Sequence, residues 1–499
     1  MPDRHIAVCD LGSNSFRLVV FTAGDGWWRR TDEIYEAVRI GAGLAETGEL
    51  SSAGIERGLA TTEVFAHFCE ATGIKEIDAV ATSAIRDARN ADAFLERAAL
   101  PVRVLSKEEE AHYGYLAAVN STTLADGAVL DLGGGSMQLV SVASRHPREK
   151  ASWPLGAVRM TEQFGLGEGT ASKKQLRALR EHVAAALEDA PWLERTGRMV
   201  GIGGTVRNLG AAIQRLEGVP EFGVQGFVIA RDDLDALVAR LADMTPAERG
   251  KVPGIKPSRG DLILAGAAVI QTVLDVAGLD AIEVTEAGLR EGVFFANHLD
   301  GDPALFDDVR RASVLNLAHQ YRVDPAHTEH VARLALGLFD QLADAGLHAG
   351  DARERELLWA ASMLHDIGVT VDYDDHHKHS RYLILNSGLP GFTQREVALI
   401  GQAVRFHRKG LPSMGPFEPL ARKGDDELLD RCALLLRLAE DLERSRDQLV
   451  REVSVAVDDG VVRLGLEADG DVRVALWAAR REDELFRRAY GRELAIAPA

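Results

Sequence analysis

Two stretches of this sequence set an aspartate, a leucine and a glycine before a tight turn that ends in serine: AVCDLGSNSFRLVV at 7–20 and AVLDLGGGSMQLVS at 128–141. Each reads as strand–turn–strand with backbone amides exposed at its tip. In the second copy Gly133, Gly134 and Gly135 remove the Cβ atoms that would keep an anion away and allow positive φ. Asp10 and Asp131 stand at the strand ends, where a carboxylate beside a phosphate-sized nest is placed to hold Mg2+ or its water shell. Two such turns facing across a cleft would clamp a phosphate and its metal from both sides.

Other residues supply what hydrolysis of a phosphoanhydride needs: a positioned water, a base, and neutralisation of the transferred group. In SKEEEAHYG three glutamates open a helix, where carboxylates suit the dipole. In TSAIRDARN, Arg86 follows an apolar strand and has the planar fork that grips a terminal phosphate, with Arg89 nearby. Gly203, Gly204 and Thr205, after the strand MVGI and close to Arg207, form another candidate nest. Lys256 and Arg259 in VPGIKPSRGD are further candidate phosphate contacts. Basic clusters at Lys378 and Arg381, and at Arg405, His407, Arg408 and Lys409, suggest a path for a long polyanion.

These residues need elements to position them. Residues 5–145 alternate strands and helices after an opening hairpin, with helices over SAGIERGLATTEVFAHFCEATG, NADAFLERAAL and KEEEAHYGYLAAVN. From about Gly127 the plan repeats, through helix SKKQLRALREHVAAALEDA, strand RMVGIGGT, strand AIEVTEAG and the run LREGVFFANHL. Strand signals vanish from about Leu305, and helical periodicity dominates to about Arg451. The tail returns to β-like runs, VSVAV, VVRLGL and VRVALW, before a charged helix. The expected organisation is α/β halves at 1–125 and 126–303, a helical domain at 304–450, and a small α+β domain at 451–499.

Composition limits the partners. At 46% hydrophobic and 27% charged the chain is globular, and 499 residues exceed what one core organises. No apolar run approaches the roughly 18–20 residues of a membrane span, and the N-terminus lacks the pattern of a signal peptide. Three scattered cysteines without metal spacing read as buried thiols, so a cytoplasmic location is expected. A net charge of −19 argues against nucleic acid or an acidic membrane as partner. A polyanionic substrate would have to be met by local nests, a metal or a basic patch.

The duplicated turns resemble the actin/Hsp70/sugar-kinase superfamily. The ordered set DLGSNSFRLVV, ATSAIRDARNADAFL, VLSKEEEAHYGY, LDLGGGSMQLV, GIGGTVRNL and AGLREGVFF is similar to the exopolyphosphatase/guanosine pentaphosphate phosphatase (Ppx/GppA) family. LHDIG, HKHSRYLILNSGLPGF and VRFHRK resemble the C-terminal portion of its long members. The resemblance implies an α/β fold of two actin-like, ribonuclease-H-like halves around a cleft, then an all-α HD-like domain and a small α+β domain. Implied with it are Mg2+ dependence (Mn2+ or K+ beside it) and a homodimer. The substrate would be inorganic polyphosphate; the alternatives are pppGpp as main substrate, or a weakly catalytic sensor of either.

By the same resemblance Glu110, just before the alanine, is the catalytic base and Arg86 its catalytic companion. Ser13, Asn14 and Ser15 would form the first phosphate turn, and Gly133, Gly134, Gly135 and Ser136 the second, with Gly204, Thr205, Lys256 and Arg259 assisting. Asp131 and Asp10 would serve the metal. At the position after GGGS-x the family commonly carries a metal-binding glutamate, where this chain has Gln138, an amide with one oxygen and no charge. In the helical domain the order His330, His365–Asp366, Asp441 resembles the ligand pattern of HD-type phosphohydrolases, implying a second metal there.

Overall fold

The apolar runs on either side of the first turn pair antiparallel as β1 (Arg4–Leu11) and β2 (Phe16–Gly24) in the computed structural model, which describes residues 3–498. β3 (Trp27–Glu36) extends this hairpin, while β4 (Glu76–Ala81) and β5 (Val102–Val104) add in parallel on its other side. The sheet order is β3-β2-β1-β4-β5. Between β3 and β4 lies α1 (Ser52–Thr72), started by Ser51, whose side chain accepts from the Gly54 amide, and ended by left-handed Gly73. After β4 comes the short α2 (Ser83–Asp87), and after β5 comes α3 (Lys107–Val119).

The second half repeats this plan. β6 (Gly127–Leu132), β7 (Met137–Ala143) and β8 (His146–Trp153) form its antiparallel triplet. β9 (Met199–Ile202) and β11 (Ala281–Val284) add in parallel, and β10 (Val228–Ala230) is an extra antiparallel edge, giving β10-β11-β9-β6-β7-β8. The intervening helices that bear on the site are α4 (Ala157–Gln163), α5 (Lys173–Leu187), α6 (Gly204–Leu216), α7 (Ile263–Ala277) and α8 (Leu289–His298).

The halves exchange helices. α3 leaves the first half but buries Tyr115, Leu116 and Val119 against Val129, Val140 and Val200 of the second sheet. α8 ends the second half but packs Val293, Phe294 and Phe295 on Ile6, Val8, Val19 and Phe21 of the first, with Phe294 stacked on Phe21 at 4.3 Å between ring centres. Where α3 and α8 cross, a Cβ on Gly292 would stand 1.9 Å from the Tyr113 carbonyl oxygen, so the approach requires glycine.

The chain forms two units, the first ending at Val309 and the second beginning at Arg310. The second unit contains α9 (Val309–Gln320), α10 (Pro325–Asp344), α11 (Ala352–Leu364), α12 (His376–Ser387), α13 (Gln394–Arg405) and α14 (Asp425–Leu442). After these come β12 (Val450–Asp458) and β13 (Val461–Ala468), then α15 (Arg473–Ala479), α16 (Asp483–Tyr490) and β14 (Glu493–Pro498), which pairs parallel to β13.

Two local expectations are corrected. VRVALW is helical α15, because Ala475, Ala478 and Ala479 bury one face at helical spacing. NADAFLERAAL keeps only one helical turn, Asp92–Leu95.

Candidate active site

The two aspartate turns are superimposable in their bonding. Asp10 pairs across the ladder with Arg17 and Asp131 with Gln138. The first turn closes by the Gly12 amide donating to the Ser15 carbonyl (3.1 Å), the second by Gly133 donating to Ser136 (3.0 Å). The tips abut: a Cβ on Gly135 would lie 2.7 Å from Ser83 Oγ and 2.8 Å from Ser13 Oγ. The glycines therefore supply room, and none of the three adopts the positive φ anticipated from the sequence. Carbonyls of Gly133 and Gly134 accept from the Ala157 and Val158 amides at the start of α4 (2.9 Å each), which turns the loop rigid.

The cleft between the turns has a volume of about 950 Å³. It gathers the carboxylates Asp10, Glu110 and Asp131 and the guanidinium groups of Arg17, Arg207, Arg259 and Arg290. A local positive excess thus forms in a chain whose net charge is −19.

The three consecutive glutamates meet three fates. Glu108 is exposed. Glu109 caps α3, its Oε2 accepting from the Ser106 amide at 2.8 Å while its own amide donates to Ser106 Oγ. Glu110, one position on, turns inward and is buried. Arg86 Nη1 donates to Glu110 Oε2 at 2.6 Å and to the Leu105 carbonyl at 3.1 Å. On the other side Gln138 Nε2 donates to Ser136 Oγ (2.8 Å), which approaches Glu110 Oε1 at 3.5 Å. Burial raises the Glu110 carboxyl above the usual range, and the Arg86 hydrogen bond and charge oppose that rise.

Asp131 shows the strongest frustration. Burial first, then the charges of Glu110 and Asp10, push it up to about 7, with Arg207 opposing. A carboxylate so crowded by like charge is stabilised by a cation, and its neighbours leave space: a Cβ on Gly114 would approach Asp131 Oδ2 at 3.3 Å. The donor set, one or two carboxylates in a polar cleft, fits a hydrated Mg2+.

Other anticipated residues separate. Gly204 lies under the Arg259 guanidinium, which leaves no place for a Cβ, and Gly203 takes φ 104 against the Leu132 carbonyl. Thr205 is buried against Gly266 of α7, away from the cleft. Lys256 lines an adjoining basin of about 1480 Å³ with Arg17, Arg207, Arg259 and Arg290. Burial first, then the charges of Arg17, Arg207 and Arg259, lower its pKa. Arg86 faces Glu110 rather than the cleft, and exposed Arg89 pairs with Glu49. Arg17 and Arg290 were missed. The first was legible as the ladder partner of Asp10 in a repeated hairpin; the second lay in the quoted motif LREG.

In the helical unit the anticipated metal set is redrawn. His365 and Asp366 come together, but with His327, His376 and His407. His330 instead directs Nε2 to the Val450 carbonyl (2.9 Å) and Nδ1 to Arg333. Glu440, not Asp441, faces the histidines, at 3.1 Å from His327 Nε2, because adjacent helical residues point about 100° apart. His407 is 2% exposed, so it guides no polyanion over the surface. Lys378 pairs with Asp375, Arg381 with Gln402, and Arg405 lies over Phe406; of the anticipated path, Arg408 and Lys409 line a common basin, with buried His407 in its wall.

Comparison with known proteins follows this division. A model of the Ppx/GppA phosphatase family matches residues 19–300, and one of the Ppx/GppA phosphatase domain III matches 309–473. A guanosine-5'-triphosphate,3'-diphosphate pyrophosphatase of Vibrio vulnificus is 30% identical, over 97% of this chain and 96% of its own. The Aquifex aeolicus member of the Ppx/GppA family is 29% identical and superposes with a TM-score of 0.51, covering 59% of this chain and 97% of its own. An exopolyphosphatase from Cytophaga hutchinsonii, at 21% identity, shares the fold with a TM-score of 0.53 over 59% of this chain and 97% of its own.

Proposed function

The chain belongs to the Ppx/GppA phosphatase family and hydrolyses phosphoanhydride bonds; on that premise we propose that its actin-like halves remove the terminal phosphate of inorganic polyphosphate with Mg2+. The observation that carries this reading is Glu110, buried where the two turns meet and held from both sides by Arg86 and Ser136.

Glu110 Oε1 takes a proton from the attacking water, while Arg86 keeps Oε2 occupied and the carboxylate oriented. The water oxygen bonds to the terminal phosphorus and the bridging P–O bond breaks, so the shortened chain leaves with its electron pair. Amides of the two turns hold the phosphoryl oxygens, and Arg207, Arg259 and Arg290 neutralise charge that spreads onto them. Asp131, with Asp10 beyond it, would hold Mg2+, with Mn2+ as substitute; the ion would screen the phosphates and Asp131 together. K+ is proposed as an additional activator.

Polyphosphate is favoured over a nucleotide by the adjoining basin, whose Arg30, Lys256 and Arg259 continue the positive charge of the cleft. A second reading, 5′-phosphate removal from pppGpp, is supported by the name of the Vibrio vulnificus relative. We further propose a homodimer acting in the cytoplasm, in keeping with buried free Cys9, Cys69 and Cys432. For residues 304–450 we propose an HD-like helical domain followed by a small α+β domain, supported by the His365–Asp366 pair at the end of α11.

Phosphate release from long-chain polyphosphate and from pppGpp, with and without Mg2+ and K+, tests the assignment. Faster release from polyphosphate is expected; faster turnover of pppGpp would install the second reading.

A further inference from the structure

Gln138 occupies a position where a glutamate would offer a metal its charge, and its contacts give that position a different task. Its ladder partners are Asp131 on β6 and Ser152 on β8. The side chain is 2% exposed and turns its amide nitrogen to two hydroxyls, Ser136 Oγ at 2.8 Å and Ser152 Oγ at 3.5 Å. An amide nitrogen carries two hydrogens and accepts none, so both contacts run outward from Gln138.

The consequence passes along the chain of hydroxyl and carboxylate. Ser136 has one hydroxyl hydrogen and already accepts from Gln138, so that hydrogen is left for Glu110 Oε1, 3.5 Å away. With the amide reversed, its oxygen would claim the hydrogen and a hydroxyl lone pair would face the Glu110 carboxylate. A carboxylate at 138, which only accepts, would draw the Ser136 hydrogen in the same way. Ser136 and Glu110 are both buried, so solvent is a poor substitute for the donor. The other oxygen of Glu110 is tied by Arg86 Nη1 at 2.6 Å, and the same nitrogen donates to the Leu105 carbonyl at 3.1 Å. One carboxylate oxygen is therefore clamped by a guanidinium, and one lone pair of its twin is taken by a hydroxyl. What remains on Oε1 is a single lone pair for the water.

We propose that Gln138 is a positioning residue for the base: acting through Ser136, it fixes which lone pair of Glu110 meets the attacking water, and position 138 in this chain serves the base instead of the metal. The proposal rests on Glu110 acting as the base in phosphoanhydride hydrolysis. It divides the second hairpin between two tasks. The backbone amides of the turn stay with the phosphate, while its buried side chains Ser136 and Gln138 go to the carboxylate that activates water. Ser152, the partner of Gln138 on β8, takes the second amide hydrogen and keeps the amide plane from rotating. Holding the ion is then left to Asp131 and Asp10.

The test measures phosphate release by the full chain from long-chain polyphosphate and from pppGpp at saturating Mg2+, with Mg2+ affinity read separately by calorimetry. Gln138→Met keeps the length of the side chain and removes both hydrogens. Its kcat is expected to fall about tenfold, with KM and Mg2+ affinity each within about twofold of the unaltered chain. Ser136→Ala removes the hydrogen that reaches Glu110 and should lower kcat by about as much, again at constant KM. Because the two side chains act in series, Ser136→Ala/Gln138→Met should be no slower than Ser136→Ala alone. An unchanged kcat in Gln138→Met, losses that multiply in the double variant, or a Mg2+ affinity about tenfold weaker with kcat restored at saturation would each overturn the proposal, the last by returning position 138 to the metal. Should Gln138→Met fail to fold, Ser136→Ala carries the test, and a full kcat there overturns it equally. Glu110→Gln separates this proposal from the reading beneath it. Turnover retained in Glu110→Gln removes the base itself, whereas turnover lost there and full in Ser136→Ala removes only the relay.

Discussion

The two hairpins of the cleft share a backbone and differ in what surrounds the aspartate. Opposite Asp10 stands Arg17, and after burial the largest influences on Asp10 are the charges of Arg290 and Arg17, which restrain its rise. Opposite Asp131 stands the neutral Gln138, and the charges of Glu110 and Asp10 add to burial to push it up to about 7. Duplication has therefore left one carboxylate inside an arginine field and one where burial and like charge outweigh the opposing Arg207. The first suits the holding of phosphate, the second the seating of a cation, and the base is bonded to the second hairpin through Ser136.

The comparison is broken most severely at the base. Glu110→Gln keeps both hairpins and the Arg86 contact but cannot take a proton; kcat is expected to fall by about 10²–10⁴-fold with substrate affinity retained, read by phosphate release and by equilibrium binding. Retained turnover would remove Glu110 from its role. The next effect separates the aspartates. Asp131→Asn is expected to raise the Mg2+ needed for half-maximal activity by about 100-fold, and Asp10→Asn by about tenfold at most. A reversed order would move the metal seat to the first hairpin. Gln138→Glu sharpens the contrast by adding charge beside Asp131, and titration with Mg2+ should show activation at a several-fold lower concentration.

A smaller effect concerns stability without metal. Asp131 keeps its proton to about pH 7 in the folded chain but loses it near the ordinary carboxylate range when unfolded. The folded state binds more protons in that window, so stability falls as pH rises through it and levels above about 7. His365 acts with the same sign at higher pH: burial would lower it, but Asp366 and Glu440 outweigh burial and hold it near 9, so its contribution is lost as pH rises through about 9. Measured from pH 5 to 8 in chelator, the melting temperature of the unaltered chain relative to Asp131→Asn should decline as pH rises to about 7 and level above it.

Much of this was legible in the sequence, and the reasons for the remainder are physical. The repeated Asp-Leu-Gly turns and the helix of Glu110 are local signals, carried by apolar runs, turn residues and the Ser106–Glu109 capping box. Arg17 was overlooked although the repeated hairpin signals it, because its place opposite Asp10 emerges only when the pairing register across the turn is worked out. The histidine set was misassigned between His327 and His330, one turn apart on α10 and both buried; contact with the Val450 carbonyl, remote in sequence, draws His330 away. In VRVALW the β-branched valines signal a strand, yet packing of α15 on α14 and the Asp471 side chain accepting from the Arg473 amide at 3.0 Å prevail.

The exchange of α3 and α8 between the halves bears on how the chain comes off the ribosome. The first sheet is complete once β5 has emerged, yet Ile6, Val8, Val19 and Phe21 await Phe294 and Phe295 at the far end of the second half. Until then that apolar face is bare, and the nascent first half is a ligand for chaperones rather than a finished domain. A fragment cut at the sequence boundary between the halves would inherit the same uncovered face, so the gene can be divided where its repeat divides but the folded protein cannot.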